Sequence, residues 1–161
     1  MKKSAALGMK RHWLMKSEPS SFSVDDLLRR PRRSEPWDGV RNYQARNLIR
    51  DEMKPGDLAF FYHSSCAEPG IAGVMEVASP AYPDPTAFDP RHHHFDPDSS
   101  PDSPVWLLID VRLVRKLRRI ITLTELRTHP ELSGLPLLKR GNRLSVMPVS
   151  PAHWDFILKL E

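Results

Sequence analysis

Apolar and polar positions divide the chain into short elements. HWLMK (12–16) is an apolar run closed by SEP and predicts an opening strand. In SVDDLLRR, Ser23 precedes Asp26 by three residues, the spacing of a reciprocal helix cap, and Leu27 and Leu28 supply the buried face. From Asn42 to Met53, apolar Ala45, Leu48, Ile49 and Met53 draw one helical face, so a helix is predicted there. KPGD (54–57) is a turn, and LAFFY (58–62) and IAGVMEVA (71–78) are strands joined by HSSCAEPG. VWLLIDVRLVRKL (105–117) predicts one long strand, although Asp110, Arg112 and Arg115 interrupt its apolar residues. RLSVMPV (143–149) is a further strand, and Ser150 and Pro151 then stand at the cap and first position of a helix burying Trp154, Ile157 and Leu158.

Two stretches lack this periodicity. RRPRRSEP (29–36) is a polar loop. Residues 79–104 are rich in Pro, Asp and Ser, and a loop of that length inside a compact domain is a candidate lid or rim for a site. Strands interleaved with short helices, and no internal repeat, predict an α+β fold with a small curved or closed sheet. The pattern leaves the topology open.

Length adds that one core suffices: 161 residues make a single domain, expected over 11–161 behind a flexible tail at 1–10. Charge adds less. With 24 basic and 20 acidic residues the formal charge is +4, compatible with a polyanionic partner without requiring one. The single cysteine, Cys66, excludes an intrachain disulfide and a multi-cysteine zinc site, and suits a reducing compartment. The N-terminal segment has no signal-peptide apolar core, and no run approaches the ~20 apolar residues of a membrane span. A soluble, cytoplasmic, monomeric protein is expected.

Catalytic chemistry finds little support. His92, His93 and His94 resemble a metal site, but adjacent histidines on an extended strand cannot converge, and no metal is expected. His63, Ser64, Ser65 and Cys66 place an imidazole beside nucleophiles in sequence, yet strand neighbours face opposite ways and no strained turn presents a serine. None of the seven glycines belongs to a GxxxxGK loop. What remains has the character of a binding pocket: Trp13, Lys16, Ser17, Glu18, Trp37, Arg41, Asn42, Tyr43, Arg46, Tyr62, His63 and Ser64. Singly, each has a plainer explanation: core packing for Trp13 and Trp106, and solvated or ion-paired faces for Arg41 and Arg46. Together, with Asn42 and Arg46 four apart on one helical side, they suit a flat ligand with a polar edge.

WLMKSEP (13–19), WDGVRNYQARN (37–47), PGDLAFFYHSS (55–65), GIAGVMEV (70–77), AYPDPTAFD (81–89) and RLSVMPV (143–149) occur in the order seen in EVE domain proteins, a family that includes the thymocyte nuclear proteins. Six collinear blocks cover nearly the whole chain, and the resemblance is correspondingly specific. It implies a PUA-like fold, a small β-barrel flanked by short helices and related to YTH and ASCH domains. It also implies a non-catalytic nucleic-acid-binding domain that reads a modified base, modified cytosine in DNA above all, without a cofactor. An RNA-binding module is the alternative; a small nucleobase-directed enzyme using His63 is a weaker one.

Carried onto this sequence, the resemblance places in the pocket Trp13, Lys16, Ser17 and Glu18, the stretch from Trp37 through Val40, Arg41, Asn42 and Tyr43 to Arg46, then Tyr62, His63 and Ser64, with Arg143 and Ser145 nearby. Two departures stand out: Met147 where the family often has Gln, and RHHHFDP (91–97) in place of a stretch that commonly contains tyrosine. Arginines in 29–33, 112–119 and 139–143 are expected to meet phosphates.

Overall fold

The computed structural model describes residues 10–161, so the expected tail at 1–10 lies, apart from Lys10, outside the described residues. In chain order the elements are β1 (His12–Ser17), α1 (Val24–Arg29), β2 (Ser34–Pro36), α2 (Tyr43–Asp51), β3 (Leu58–His63) and β4 (Gly70–Val77). There follow β5 (Tyr82–Pro83), β6 (Leu107–Leu108), β7 (Asp110–Thr122), α3 (Leu123–Leu126), β8 (Val146–Val149) and α4 (Pro151–Leu158). Six strands form one sheet in the order β2-β7-β4-β3-β1-β8, and β5 and β6 pair separately. Every pairing is antiparallel except that of β1 with β3, the register running from His12 opposite Leu58 to Ser17 opposite His63.

Both faces of this sheet are covered, which is why its central strands read as unbroken apolar runs. Trp13 and Met15 of β1 and Ala59 and Phe61 of β3 join a core with Val24 and Leu27 of α1 and Ala45 and Ile49 of α2. Their neighbours Leu14, Phe60 and Tyr62 enter a second core with Leu126, Leu132, Leu135 and the α4 residues Trp154 and Ile157. Phe60 stacks on Trp154 at 3.8 Å between ring centroids. Each large apolar side chain buried this way contributes about 1.5–3 kcal/mol of transfer free energy, so the alternation fixes which side of β1 and β3 each helix must cover.

Helix starts follow their local chemistry. Ser23 and Asp26 form a reciprocal capping box. Ser150 accepts from the His153 amide ahead of Pro151. Asn42 caps α2 by accepting from the Ala45 amide at 3.0 Å. It therefore stands before the helix, not on the face the sequence pattern gave it beside Arg46.

One predicted element divides. The long strand expected over 105–117 breaks at Ile109, because Leu107 and Leu108 pair with Pro83 and Tyr82 while Asp110 begins the run against β4 and β2. The Ile109 carbonyl instead accepts from the Trp37 amide at 2.9 Å. Register shifts between β4 and β7 bend the sheet. Its hydrogen-bonded order ends at β2 and β8, so the barrel is a curled half-barrel of PUA-like type rather than a closed ring.

Candidate functional site

At the C-terminal end of β1 the sheet opens into a cleft of about 560 Å³. Lys16, Ser17 and Glu18 leave β1 along one side, and Ser17 Oγ donates to the Phe22 carbonyl at 2.6 Å, folding Ser21 and Phe22 over the opening. Glu35 to Gly39 supply the second side. Trp37 is held there by its amide bond to Ile109 and by edge contacts with Phe61 and Phe22, at centroid distances of 5.2 and 6.5 Å. His92, His93 and His94 complete the rim.

A buried carboxylate ties these walls together. Asp84 is 0% exposed and accepts from the Gly39 amide at 2.9 Å, from Arg41 at 3.0 Å, and from the Thr86 amide and hydroxyl. Burial pushes its carboxyl up, but the bonds from Thr86, Gly39 and Arg41 outweigh this and hold it below the ordinary carboxylate range. Arg41 then reaches across to donate twice to the His94 carbonyl, at 2.8 and 3.2 Å. Gly39 has φ +82°, and a Cβ at that position would lie 2.4 Å from the His94 ring, so both conformation and space require glycine. The WDG turn is thus locked under the histidine loop.

The histidines do approach one another. Residues 91–94 form turns and bends rather than an extended strand, which overturns the expectation that they cannot. Their candidate ligand nitrogens lie within 4.8 Å of each other. The His92 and His93 rings stack, the His94 ring is tilted against both, the centroid distances run from 3.9 to 4.8 Å, and His92 Nδ1 accepts from the His94 amide. Burial first, then the charges of His93, Arg41 and His92, push the His94 imidazole down to about 4. Burial also lowers the Lys16 ammonium. Burial, then the charge of Asp84, raises the Asp38 carboxyl. Arg30 pairs with Glu35 at 2.9 Å across the mouth and lies over the Phe22 ring.

Of the residues predicted for a pocket, Lys16, Ser17, Glu18 and Trp37 come together here. Val40 is buried, Arg41 is the latch just described, and Ser64 reaches the site only through its amide bond to the Ser17 carbonyl. Trp13 belongs to the core, donating its indole N–H to Asp57 at 2.9 Å. Tyr62 lies in the core on the other side of the sheet, its phenol pushed up to about 12 by burial. His63 Nε2 accepts from the Val24 amide. Tyr43 is exposed and packs on Trp106, with Arg46 over its ring and donating to the Val105 carbonyl. Asn42 and Arg143 line a separate cleft, and Ser145 accepts from the Lys16 amide. Arg30 was expected only as a phosphate contact, and residues the sequence pattern missed are Ser21, Phe22, Glu35 and the three rim histidines. The rim role proposed for 79–104 was the signal for the last of these. Nothing in a polar loop reading of 29–36 marks Glu35.

The EVE domain family profile matches residues 11–160. The chain belongs to the EVE domain family. This EVE domain is 45% identical over 175 aligned residues to human thymocyte nuclear protein 1, covering 99% of this chain and 77% of that protein. It superposes with a TM-score of 0.86 and 44% identity on the crystal structure of human THYN1 protein in complex with 5-methylcytosine containing DNA, covering 94% of this chain and 97% of the other. At 16% identity and a TM-score of 0.51, covering 95% and 87% of the two chains, the YTH domain of the Zygosaccharomyces rouxii MRB1 protein shares the fold alone. Among the described residues no helix is long and apolar enough to cross a membrane.

Proposed function

We propose that this EVE domain is a non-catalytic reader of modified cytosine in DNA, and that the base enters the cleft between Ser17, Trp37 and the histidine rim after leaving its stack. The observation that carries the reading is the structural match, over 94% of this chain, to a protein solved with 5-methylcytosine DNA, joined to a cleft of suitable chemistry. At about 560 Å³ the cleft has the size of a small-molecule site, for which roughly 300–1,000 Å³ is usual. Phe22 offers ring surface beside Trp37, which is only 7% exposed, and the carboxylates of Glu18 and Asp38 are natural acceptors for the cytosine amino group. The imidazole that an enzymatic reading would use, His63, spends its acceptor nitrogen on a backbone amide.

Magnitudes limit the selectivity. Unstacking costs a few kcal/mol and one base–aromatic stack returns about 1–3 kcal/mol, so edge bonds and backbone contacts supply the balance. A methyl in an apolar nook adds only about 1 kcal/mol, roughly fivefold in affinity. The test is an anisotropy titration of one duplex with cytosine or 5-methylcytosine, with single-stranded RNA as competitor. Tighter binding to the modified duplex, lost in Trp37→Ala, is expected. Equal, weak binding to every duplex refutes the reading, and preferential displacement by RNA replaces it with the RNA-binding alternative. The chain is taken to act as a monomer without a cofactor and in the cytoplasm; sedimentation of the free and DNA-bound protein, and fractionation of cells, test the first and last of these.

A further inference from the structure

A second and larger cleft, about 910 Å³, opens on the far side of β8. Its floor is apolar, with Leu132, Leu135, Leu144 and Met147, and its rim carries Lys139, Arg140 and Arg143. These three cations are exposed, and among the described residues none has a carboxylate partner. The other basic stretches differ. Arg112, Arg115, Lys116 and Arg119 pair with Glu76, Glu161, Asp25 and Glu125, and Arg29 and Arg30 pair with Asp26 and Glu35. The side chains of Arg32, Arg33 and Arg118 have no carboxylate partner among the described residues, but they line neither cleft. The expectation that all three stretches meet phosphates therefore narrows to the last, because the cations of the first two are either paired with a carboxylate or lie outside both clefts, while a free cation at a cleft rim gains a charge-assisted contact from an incoming phosphate.

Two connections join this cleft to the base pocket. The Lys16 amide donates to the Ser145 carbonyl at 2.8 Å, so the exit of β1 and the approach to β8 are one wall seen from two sides. The segment from Gly39 to Asn42 likewise begins in the pocket and ends in the second cleft. We infer that the sugar–phosphate backbone of the strand that delivers the flipped base runs through this second cleft, with Lys139, Arg140 and Arg143 as its phosphate contacts. The inference rests on the reader function proposed above and adds the path of the strand. The apolar floor takes the sugar and base edges of flanking nucleotides, and the cationic rim takes the charge.

The experiment is a salt series with the methylated duplex, comparing wild type with the combined variant Lys139→Gln, Arg140→Gln and Arg143→Gln. Each phosphate contact contributes about 0.9 to the slope of log affinity against log salt, so the variant is expected to lose about 2–3 from that slope. Its preference for 5-methylcytosine over cytosine is expected to persist, because the pocket is untouched. Arg115→Gln, already neutralised by Glu161, is expected to keep the wild-type slope. All of these side chains are exposed, and a melting curve confirms that each variant folds. A wild-type slope in the triple variant overturns the strand path and leaves the reader function standing. Absence of DNA binding by the wild type removes both. Loss of the methyl preference in the triple variant, its melting curve unchanged, also overturns the division of labour between the two clefts.

Discussion

Arg41 belongs to the WDGVRNYQARN block, yet its guanidinium faces Asp84 and the His94 carbonyl and does not line the base cleft. Arg41→Ala removes the 3.0 Å bond to a fully buried carboxylate and both bonds to the histidine loop. Breaking a buried pair from one side costs about 3–5 kcal/mol when the remaining charge has no other partner. Asp84 keeps the Gly39 amide and the Thr86 amide and hydroxyl, so the expected loss is smaller, about 2–3 kcal/mol. For a domain of this size each kcal/mol moves the melting temperature by about 2–4 °C, giving a fall of about 4–12 °C. Arg41→Lys restores the charge without the planar fork that reaches two acceptors, and is expected to fall between wild type and alanine. The assay pairs thermal melting by circular dichroism with the methylated-duplex titration, since a loosened rim weakens base binding as well. A melting temperature for Arg41→Ala within about 2 °C of wild type would refute the latch.

Three further outcomes follow from the same geometry. The His94 imidazole titrates near 6.5 in the unfolded chain and near 4 in the folded one. The unfolded state therefore holds more protons between those values: stability is full above about pH 6.5 and is lost as pH falls toward 4, by about 1–2 kcal/mol after solvent screening. His12 and His63, also lowered by burial, act with the same sign. Urea titrations from pH 7 to 4 measure the slope, and an unchanged slope in His94→Gln would remove His94 as its source. Gly39→Ala forces a Cβ into the His94 ring at positive φ and is expected to destabilise by at least ~1–2 kcal/mol and to weaken base binding; a melting curve matching wild type would contradict the contact. Trp13→Phe loses the indole bond to Asp57, which keeps the Arg11 and Lys54 amides, and is expected to cost about 1–2 kcal/mol without altering the preference for 5-methylcytosine. A changed preference would return Trp13 to the pocket.

Much of this was legible along the chain. The strands at β1, β3 and β4, the capping box of α1, the cap and proline that start α4 and the six family blocks are all local patterns, and local hydrogen bonding and burial periodicity carry them into the structure. Trp37, Lys16, Ser17 and Glu18 reached the site because they sit in the blocks that end at it. Trp13 and Tyr62 lie in equally characteristic blocks, yet the period of two along a strand turns them into the two cores.

By itself, then, the sequence determined the kind of fold, the family and the segments from which a pocket is built. Only the tertiary structure decided which side chains of those segments face it, because that choice depends on long-range partners. Asp84 captures Arg41 and Gly39 from more than forty residues away, Ile109 breaks a strand to hold Trp37, and Glu76 and Glu161, far along the chain, pair with Arg112 and Arg115 of β7. Lys139, Arg140 and Arg143 remain open to a phosphate for the same reason: among the described residues the fold brings them no carboxylate.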